Sequence, residues 1–423
     1  MIKKLLITGL LFLGYLTAFA QLTIEDCYTK AQENYPLIRQ YNLIEKTKEY
    51  NLSNAHKAYL PQVTFSTKAT YQSDVTKLPI DFSQLGLQGM DIPTLSKDQY
   101  NASLDVNQII WDGGAIKSQK EGIETAAEVS KKNVEVSIYA INERINQLYF
   151  GILLADAQTR QIRLLQAELE RNYKLIESYV QHGIANQVDL DAVKVDILKA
   201  TQREVQCINT KKGYIEILST LIGEELSETT EFAKPVPVRP STHTINRPEL
   251  DLYHLQIQNL AIKDHTITSG LMPKLGLFAT GGYGKPGLNM LQDNFKAYYI
   301  AGVRLSWNIG NFYTLKNNRK AIQNNIESIE NQRETFLFNT HLDVTQKNNH
   351  IDNCYEQLKY DDEIIALRGS VKRASEVKMA NGTISGSDLT RDINAEQMAI
   401  QEKILHETEL LLAIYNLKFA TNN

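Results

Sequence analysis

The chain has 423 residues, 22% of them charged, and its formal net charge at pH 7 is −4. This mildly acidic balance, without a basic stripe or a recognition motif, argues against a nucleic-acid partner. The three cysteines lie at unrelated positions, which predicts neither a disulfide framework nor a metal site. We therefore expect no metal and no cofactor.

The first twenty residues have the pattern of a secretory signal peptide. Lys3 and Lys4 form a basic region, an apolar run follows, and Ala18-Phe19-Ala20 is a small-x-small cleavage pattern. The run is short for an uncleaved anchor, and no later stretch reaches the roughly 18 apolar residues of a membrane-spanning helix. We expect residues 1–20 to be a signal peptide and the mature chain to be exported and to begin at Gln21.

The mature chain contains two copies of the same sequence pattern. Asn34-Tyr35-Pro36 and Asn246-Arg247-Pro248 are 212 residues apart, and Gly183 and Gly382 are 199 apart. Solenoid repeats are far shorter, about 20–50 residues. The sequence therefore predicts two large repeats joined by a linker rich in Glu, Thr and Pro: 21–223, 224–245 and 246–423.

Each repeat predicts a helix followed by a β-hairpin. The first helix is predicted over 23–57. Apolar and polar residues then alternate over 62–72 and 100–107, and the same alternation recurs in the second repeat, which predicts strands with one apolar and one polar face. The predicted loop of the first hairpin, 73–97, is the longer of the two. The polar face carries Lys68, Asp105, Lys274, Lys296 and Arg304.

Strands of about ten residues with alternating faces are typical of a transmembrane β-barrel, although a soluble sheet with one wet face gives the same pattern. The export signal and the aromatic residues near strand ends favour the barrel. Four strands cannot close, and an open edge cannot face lipid, so the barrel must be shared among subunits. Eight strands are filled by side chains, whereas twelve leave room for water, so a trimer is the better answer. The aromatic residues are Tyr71, Tyr283, Phe295 and Trp307.

Very long helices are predicted after each hairpin, because 94–234 and 287–423 contain no proline. We expect helices over 112–181 and 311–380, each about 105 Å long, followed by a glycine turn and a return helix over 187–222 or 386–420. Apolar residues in the first long helix recur at steps of four and three, which indicates a coiled-coil seam. The seam residues are Val134, Ile138, Ile141, Ile145, Leu148, Ile152 and Ala155.

Across the whole mature chain, this order of elements resembles the TolC-type outer-membrane efflux channels. The resemblance also rests on Leu60-Pro61-Gln62-Val63 and Met272-Pro273-Lys274-Leu275 at the helix-to-strand junctions. Trp111-Asp112-Gly113-Gly114 lies at the first strand-to-helix junction. The second repeat departs there, since it reads Asn308-Ile309-Gly310-Asn311 and keeps one glycine.

The resemblance implies an α+β fold dominated by helices. Long coiled-coil hairpins would form a periplasmic α-barrel, and four strands per chain would contribute to a 12-stranded trimeric β-barrel in outer-membrane lipid. It implies a homotrimer that is a passive conduit rather than an enzyme. A periplasmic adaptor protein and an inner-membrane pump would be its partners, and the pump would select the substrate.

The resemblance also places a gate at the helix turns furthest from the membrane. Asp189, Asp388 and Asp392 become gate candidates that attract cations, and Arg391 stands where the family would show a further acid. The open alternative is that these aspartates only cap helices. Candidate turn and adaptor-contact residues are Gly183, Gly382 and Gly386.

Other protein classes fit less well. The eight histidines are scattered and no catalytic constellation is apparent, so we expect no catalytic residues. A periplasmic adaptor, the main alternative, also uses long helical hairpins, but it should have a single hairpin with small β domains. An exported barrel enzyme or adhesin would need a closed single-chain barrel.

Overall fold

The computed structural model describes residues 21–76, 94–241 and 244–423. The predicted signal peptide and most of the predicted loop over 73–97 lie outside this range. The described chain forms two compact units, and each unit draws on both halves of the sequence. Unit 1 contains 21–40, 132–251 and 333–423, and unit 2 contains 41–131 and 252–332.

The elements follow the predicted order. The first half contains α1 (Ile24–Asn34), a 3-10 helix (Pro36–Ile38), α2 (Arg39–Lys57), β1 (Gln62–Tyr71), β2 (Asp98–Trp111), α3 (Ala115–Tyr139), α4 (Ile141–Gln181) and α5 (Gln187–Ile222). The second half contains α6 (Pro248–Gly270), β3 (Lys274–Lys285), β4 (Lys296–Ser306), α7 (Asn311–Ala380) and α8 (Gly386–Thr421). The predicted helices over 187–222 and 311–380 are confirmed with these bounds.

The prediction of one helix over 23–57 is wrong at Pro36. Tyr35 is extended, with a ψ of 129°, and Pro36 opens the short 3-10 helix before α2 begins at Arg39. Proline has no amide proton and disfavours helical geometry in the residue before it, which explains the interruption. The equivalent Pro248 is the first residue of α6, a position where proline is tolerated.

The first long helix is divided at one residue. We predicted one helix over 112–181, and the structure ends α3 at Tyr139 and begins α4 at Ile141. Ala140 between them keeps a φ of −60° and a ψ of −20°, and its amide donates to the Val136 carbonyl at 3.2 Å. Ala140 therefore keeps a helical backbone conformation between the two helices.

Unit 2 contains a four-stranded antiparallel sheet in the order β1-β2-β3-β4. The two predicted hairpins are confirmed, and β2 pairs with β3, so that strands from both halves form one sheet. The pairing shifts by one residue between Ile109 and Trp111. Within the described chain, β1 and β4 have a partner strand on one side only.

The register separates the two predicted faces of the sheet. On the polar face, the hydroxyls of Ser66 and Ser103 lie 2.9 Å apart, and the Tyr298 hydroxyl donates to Asn101 Oδ1 at 2.7 Å. The other face exposes large apolar side chains that nothing in the described chain covers. They include Val63, Phe65, Leu104, Leu277, Tyr299, Val303 and Leu305.

The core of unit 1 is formed by the predicted seam. All seven seam residues are buried, which confirms that the four-three pattern marks packing. Tyr149 is fully buried beside them, and its hydroxyl lies 2.8 Å from the Leu22 carbonyl and 2.6 Å from the Ala233 carbonyl. Leu22 and Phe232 also form a parallel β-bridge, so part of the predicted linker packs on this core.

In the ranges that the structure describes, no helix is both long and apolar enough to cross a membrane.

Candidate functional site: the helix turns and the helix–strand junctions

The two turns between long helices are in unit 1. Turn 1 (182–186) joins α4 to α5, and turn 2 (381–385) joins α7 to α8. Gly183 has a φ of +75° and Gly382 a φ of +66°, the left-handed conformation that the sequence predicts for these glycines. The next amides, of Ile184 and Thr383, return to helix carbonyls at 2.8 and 2.9 Å. Both turns therefore satisfy the last carbonyls of the helix before them.

Turn 2 ends in a capping box. The Ser385 hydroxyl accepts from the Asp388 amide at 3.1 Å, and Asp388 Oδ2 accepts from the Ser385 amide at 3.2 Å. Hydrogen bonds from the hydroxyl and amide of Ser385, with a smaller contribution from Arg391, lower the pKa of Asp388. Asp388 is therefore an ionised cap of α8 at neutral pH.

Asp189 has a different environment from its equivalent, Asp388. The cap residue of α5, Asn186, makes no side-chain capping bond, and Asp189 Oδ1 instead accepts from the Ser387 hydroxyl at 3.0 Å. Two turns further along the same helix pair, Asn394 Nδ2 donates to Asp196 Oδ2 at 2.9 Å. These two hydrogen bonds connect the beginning of α5 to the beginning of α8.

Arg391 and Asp392 lie one turn further into α8. The Arg391 guanidinium is 3.4 Å from Asp388 Oδ1 and 3.9 Å from Asp392 Oδ1. Asp392 Oδ2 also accepts from the Ser375 hydroxyl of α7 at 2.6 Å. The structure thus brings three of the four charged gate candidates together, and the fourth, Asp189, is linked to Ser387 beside them.

Gly386 differs from the two turn glycines because it is buried. A Cβ atom at Gly386 would lie 2.3 Å from Ile176 Cδ1 and 2.8 Å from Ile176 Cγ1. No atom lies within 4 Å of a Cβ built on Gly183 or Gly382. Gly386 therefore allows α8 to approach α4 closely, whereas Gly183 and Gly382 are exposed.

The two turns present different surfaces. Turn 1 and the first residues of α5 expose two apolar side chains, Ile184 at 66% and Val188 at 76%. The equivalent positions around turn 2 are Thr383 and Ser387, which are also exposed. Two exposed apolar side chains at the first turn are therefore replaced by polar ones at the second.

An ionic cluster that the sequence did not suggest lies further along the helices that the turns join. Lys372 of α7 is 2.9 Å from Glu168 of α4 and 2.5 Å from Glu396 of α8. Burial lowers the pKa of Lys372, but its hydrogen bonds to both glutamates outweigh this and raise it above the ordinary value. These residues are distant in sequence and form no local motif, so only the fold reveals the cluster.

The helix-to-strand junctions are in unit 2. The Leu60 amide closes the end of α2 on the Lys57 carbonyl at 2.9 Å, and Pro61 then precedes β1. The Met272 amide donates to the Ser269 carbonyl at 3.2 Å, and Pro273 precedes β3 in the same way. Each proline separates a helix end from the first residue of a strand, where its missing amide costs no ladder hydrogen bond.

The first strand-to-helix junction needs its glycines. Gly113 and Gly114 have φ values of +73° and +88°, and a Cβ at Gly113 would lie 2.4 Å from Met272 Cβ. Asp112 is buried and accepts from the amides of Gly114 and Ile116 at 3.0 and 2.6 Å, which caps α3.

The second junction uses different side chains. Asn311 Nδ2 donates to the Gly270 carbonyl at 2.8 Å, and Trp307 Nε1 donates to the Leu271 carbonyl at 2.8 Å. These two donors tie the end of β4 and the start of α7 to the end of α6. The departure from the double glycine is therefore accompanied by a different set of hydrogen bonds.

Among the described residues, no group of three or more His, Cys, Asp or Glu is placed to hold a metal ion. The cysteines are free thiols: Cys27 and Cys354 are buried, and Cys207 is half-buried.

Comparisons with solved structures show that the fold is shared. The CusC structure is 13% identical, with a TM-score of 0.68, and the match covers 96% of this chain and 94% of that chain. The CmeC outer membrane channel of Campylobacter jejuni is 12% identical, with a TM-score of 0.66 and coverages of 96% and 87%. The open-state MtrE outer membrane channel of Neisseria gonorrhoeae is 13% identical, with a TM-score of 0.67 and coverages of 95% and 89%.

Sequence comparison gives one family. No curated protein sequence matches the chain. Residues 27–224 match the family model described as "Outer membrane efflux protein", and this range spans nearly all of the first predicted repeat. The second half then repeats its order of elements. Residues 27–224 therefore match the outer membrane efflux protein family, and the chain as a whole shares its fold with outer membrane channels.

Proposed function

We propose that three copies of this chain form a passive channel through the outer membrane, in which each copy supplies four strands to a 12-stranded barrel. The observation that carries the proposal is the sheet of unit 2, which has an exposed apolar face and two edge strands, β1 and β4, that each lack a second partner strand among the described residues. Unpaired backbone groups at such an edge are too costly in lipid. Pairing of β1 with β4 of a neighbouring copy removes both edges.

The polar face supports three copies over two. It carries Lys68, Lys274 and Arg304, all of them exposed, and charged side chains need water or a partner of opposite charge. A barrel of eight strands has an interior filled by side chains, whereas twelve strands leave space for water. A barrel of three chains would therefore leave room for the water that these charged side chains need.

Two apolar stripes on the helices of unit 1 also favour an oligomer. The α7 stripe (Tyr360, Ile364, Leu367, Val371) has the four-three-four spacing of a coiled-coil seam and is exposed. The α5 stripe (Val188, Val195, Leu198, Val205) is exposed as well. Exposed apolar patches of this kind mark protein interfaces, and neighbouring copies would cover them.

We further propose that the turns are where the channel closes and where its partners dock. The Asp189–Ser387 and Asp196–Asn394 hydrogen bonds support closure, because they hold α5 and α8 together beside the candidate charges of Asp388, Asp392 and Arg391. The exposed side chains Ile184 and Val188 next to Gly183 support docking of a periplasmic adaptor, through which an inner-membrane pump would deliver its substrate.

Cysteine cross-linking of the edge strands tests the oligomer. One cysteine replaces Thr64 on β1, and a second replaces Ile300, Gly302 or Arg304 on β4 in three separate variants. After oxidation of the membrane fraction, the variant with the correct register should give bands of one, two and three chains and none larger. The single variant Thr64→Cys is the control and should stay monomeric. A ladder that stops at two chains, or a soluble monomer, would overturn the proposal.

A further inference from the structure

The polar face of the sheet carries an unbalanced positive charge. In the strand register, Lys68 on β1 pairs with Asn101 on β2, Asn101 with Gly284 on β3, and Gly284 with Lys296 on β4. One row across the sheet therefore has a lysine on each edge strand and no acid between them.

The remaining charges of this face do not restore the balance. Lys274 and Arg304 lie on the same face of β3 and β4, and Asp105 is its single carboxylate among the described strand residues. Asp105 accepts from the Thr280 hydroxyl at 2.6 Å and from the Ser103 hydroxyl at 3.3 Å, both of which are neutral donors. The described strands of each chain thus present four cations and one anion on this face.

The four cations are available to solutes. All four side chains are exposed, and none forms an ion pair with a carboxylate of the described residues. Lys296 Nζ donates to the Gln292 side chain, which is neutral, and the Arg304 guanidinium lies 4.8 Å from the centre of the Phe278 ring. These contacts orient the cations and leave their charge unneutralised.

Fixed charges that line a narrow passage select among ions. Low-dielectric walls focus the field of the charges, raise the local concentration of counter-ions and exclude ions of the same sign. Rings of Lys or Arg accordingly favour anions in pores, and rings of Asp or Glu favour cations. The row that contains Lys68 and Lys296 would repeat in every subunit and would form such a ring.

We propose that the barrel of this channel prefers anionic solutes, such as carboxylates and phosphates, over cations of similar size. The inference rests on the proposed function, because the polar face lines a passage only when the sheet is part of a shared barrel. The aspartates at the helix turns would instead attract cations and disfavour anions. A test must therefore change the strand charges and the turn charges separately.

The reversal potential of the purified full-length channel in a planar bilayer, under a KCl gradient, measures its chloride-to-potassium permeability ratio. We expect native channels to favour chloride and K68Q/K296Q to lower the ratio by about threefold or more. The matched variant K68R/K296R keeps both charges and should keep the native ratio. D189N/D388N changes the turn charges alone and should not lower it.

Two results would count against the inference in different ways. The first is a chloride-to-potassium permeability ratio that is the same in K68Q/K296Q as in the native channel, or that changes only in D189N/D388N. Either outcome would overturn the anion preference and leave the channel function intact. Failure of the cysteine pairs on β1 and β4 to cross-link three chains would instead overturn the proposed function and, with it, this inference.

Discussion

Lys403 of α8 lies 2.5 Å from Asp362 of α7, and this ion pair repeats an ion pair of the first half with its charges exchanged. Arg163 of α4 and Glu204 of α5 are its equivalents, 199 residues earlier, and lie 2.7 Å apart. If the return helices exchanged partners, Arg163 would face Lys403 and Glu204 would face Asp362. The reversed charges therefore favour correct pairing within each hairpin.

Charge reversal at Lys403 tests this relationship. Asp362 is exposed and Lys403 is half-buried, so K403Q should lower the free energy of unfolding by about 1 kcal/mol or less. K403E should lower it further, because it places two carboxylates together, and D362K/K403E should recover most of the loss. Urea unfolding of the detergent-solubilised protein at low salt, followed by circular dichroism, measures these differences, because urea is uncharged and does not screen the pair. Equal losses in K403Q and K403E would show that the pair has no role in pairing.

Periodicity made much of the fold predictable from sequence. The four-three steps from Val134 to Ala155 identified residues that are all buried, and the absence of proline over 287–423 allowed the helix that the structure ends at Ala380. The strand alternation also identified the two faces of the sheet. These signals are local, because the residues that form a coiled-coil seam or a strand face lie close together in the sequence.

The turns were less predictable because their contacts join distant segments. The capping box could have been read from Ser385-Gly386-Ser387-Asp388, which has serine and an acid three residues apart. By contrast, the burial of Gly386 against Ile176 and the Asp189–Ser387 hydrogen bond depend on how α4, α5 and α8 pack. No sequence pattern near Gly386 indicates that its missing side chain makes room for an isoleucine 210 residues away.

The close approach at Gly386 predicts a compensating pair of mutations. G386A should lower the free energy of unfolding by about 1–3 kcal/mol, because its new methyl group overlaps Ile176 Cδ1. I176V removes that atom, so G386A/I176V should lose less than the sum of the two single variants. Thermal unfolding of all three variants gives the coupling.

Gly183 provides the matched control for this pair. G183A meets no atom within 4 Å and is destabilising only through its positive φ, at about 1–2 kcal/mol. I176V should therefore leave the effect of G183A unchanged. Equal coupling of I176V to both alanine variants would contradict a specific contact between Gly386 and Ile176.

Cys27 predicts a loss of stability at alkaline pH. Burial, with smaller contributions from nearby carboxylates such as Asp26, raises the pKa of the Cys27 thiol from 9.0 to about 12. Above pH 9 the unfolded chain loses this proton while the folded chain keeps it, so stability that is complete below pH 9 declines towards pH 12. The slope approaches about 1.4 kcal/mol per pH unit for one group.

Comparison with C27A isolates this effect, since the buried tyrosines titrate in both proteins. The stability advantage of the native protein over C27A should shrink between pH 9 and 11 and stay constant between pH 6 and 8. Maleimide labelling gives a second readout, because a fully buried neutral thiol should remain unlabelled at pH 8. An advantage that is independent of pH would show that Cys27 ionises as readily in the folded protein as in the unfolded chain.

Asp388 is both a helix cap and a gate candidate, and a mutation of Ser385 distinguishes the two roles. D388A removes the carboxylate, whereas S385A removes the hydroxyl that accepts from the Asp388 amide and keeps the charge. S385A should therefore lower the stability of α8 by about 1 kcal/mol. If the charge of Asp388 acts at a closed entrance, D388A should increase the leak of small ions through the isolated channel, and S385A should not.

Planar-bilayer conductance of D388A, S385A and the native channel distinguishes these outcomes. Because the bonds from Ser385 lower the pKa of Asp388 below 3.8, the native leak should stay constant from pH 7 to pH 5. Equal leaks in both variants would show that the conductance follows the loss of the cap, and unchanged leaks in both would remove Asp388 from the gate. A rise confined to D388A would instead require its charge at the point of closure, because S385A weakens the same capping box without altering that charge.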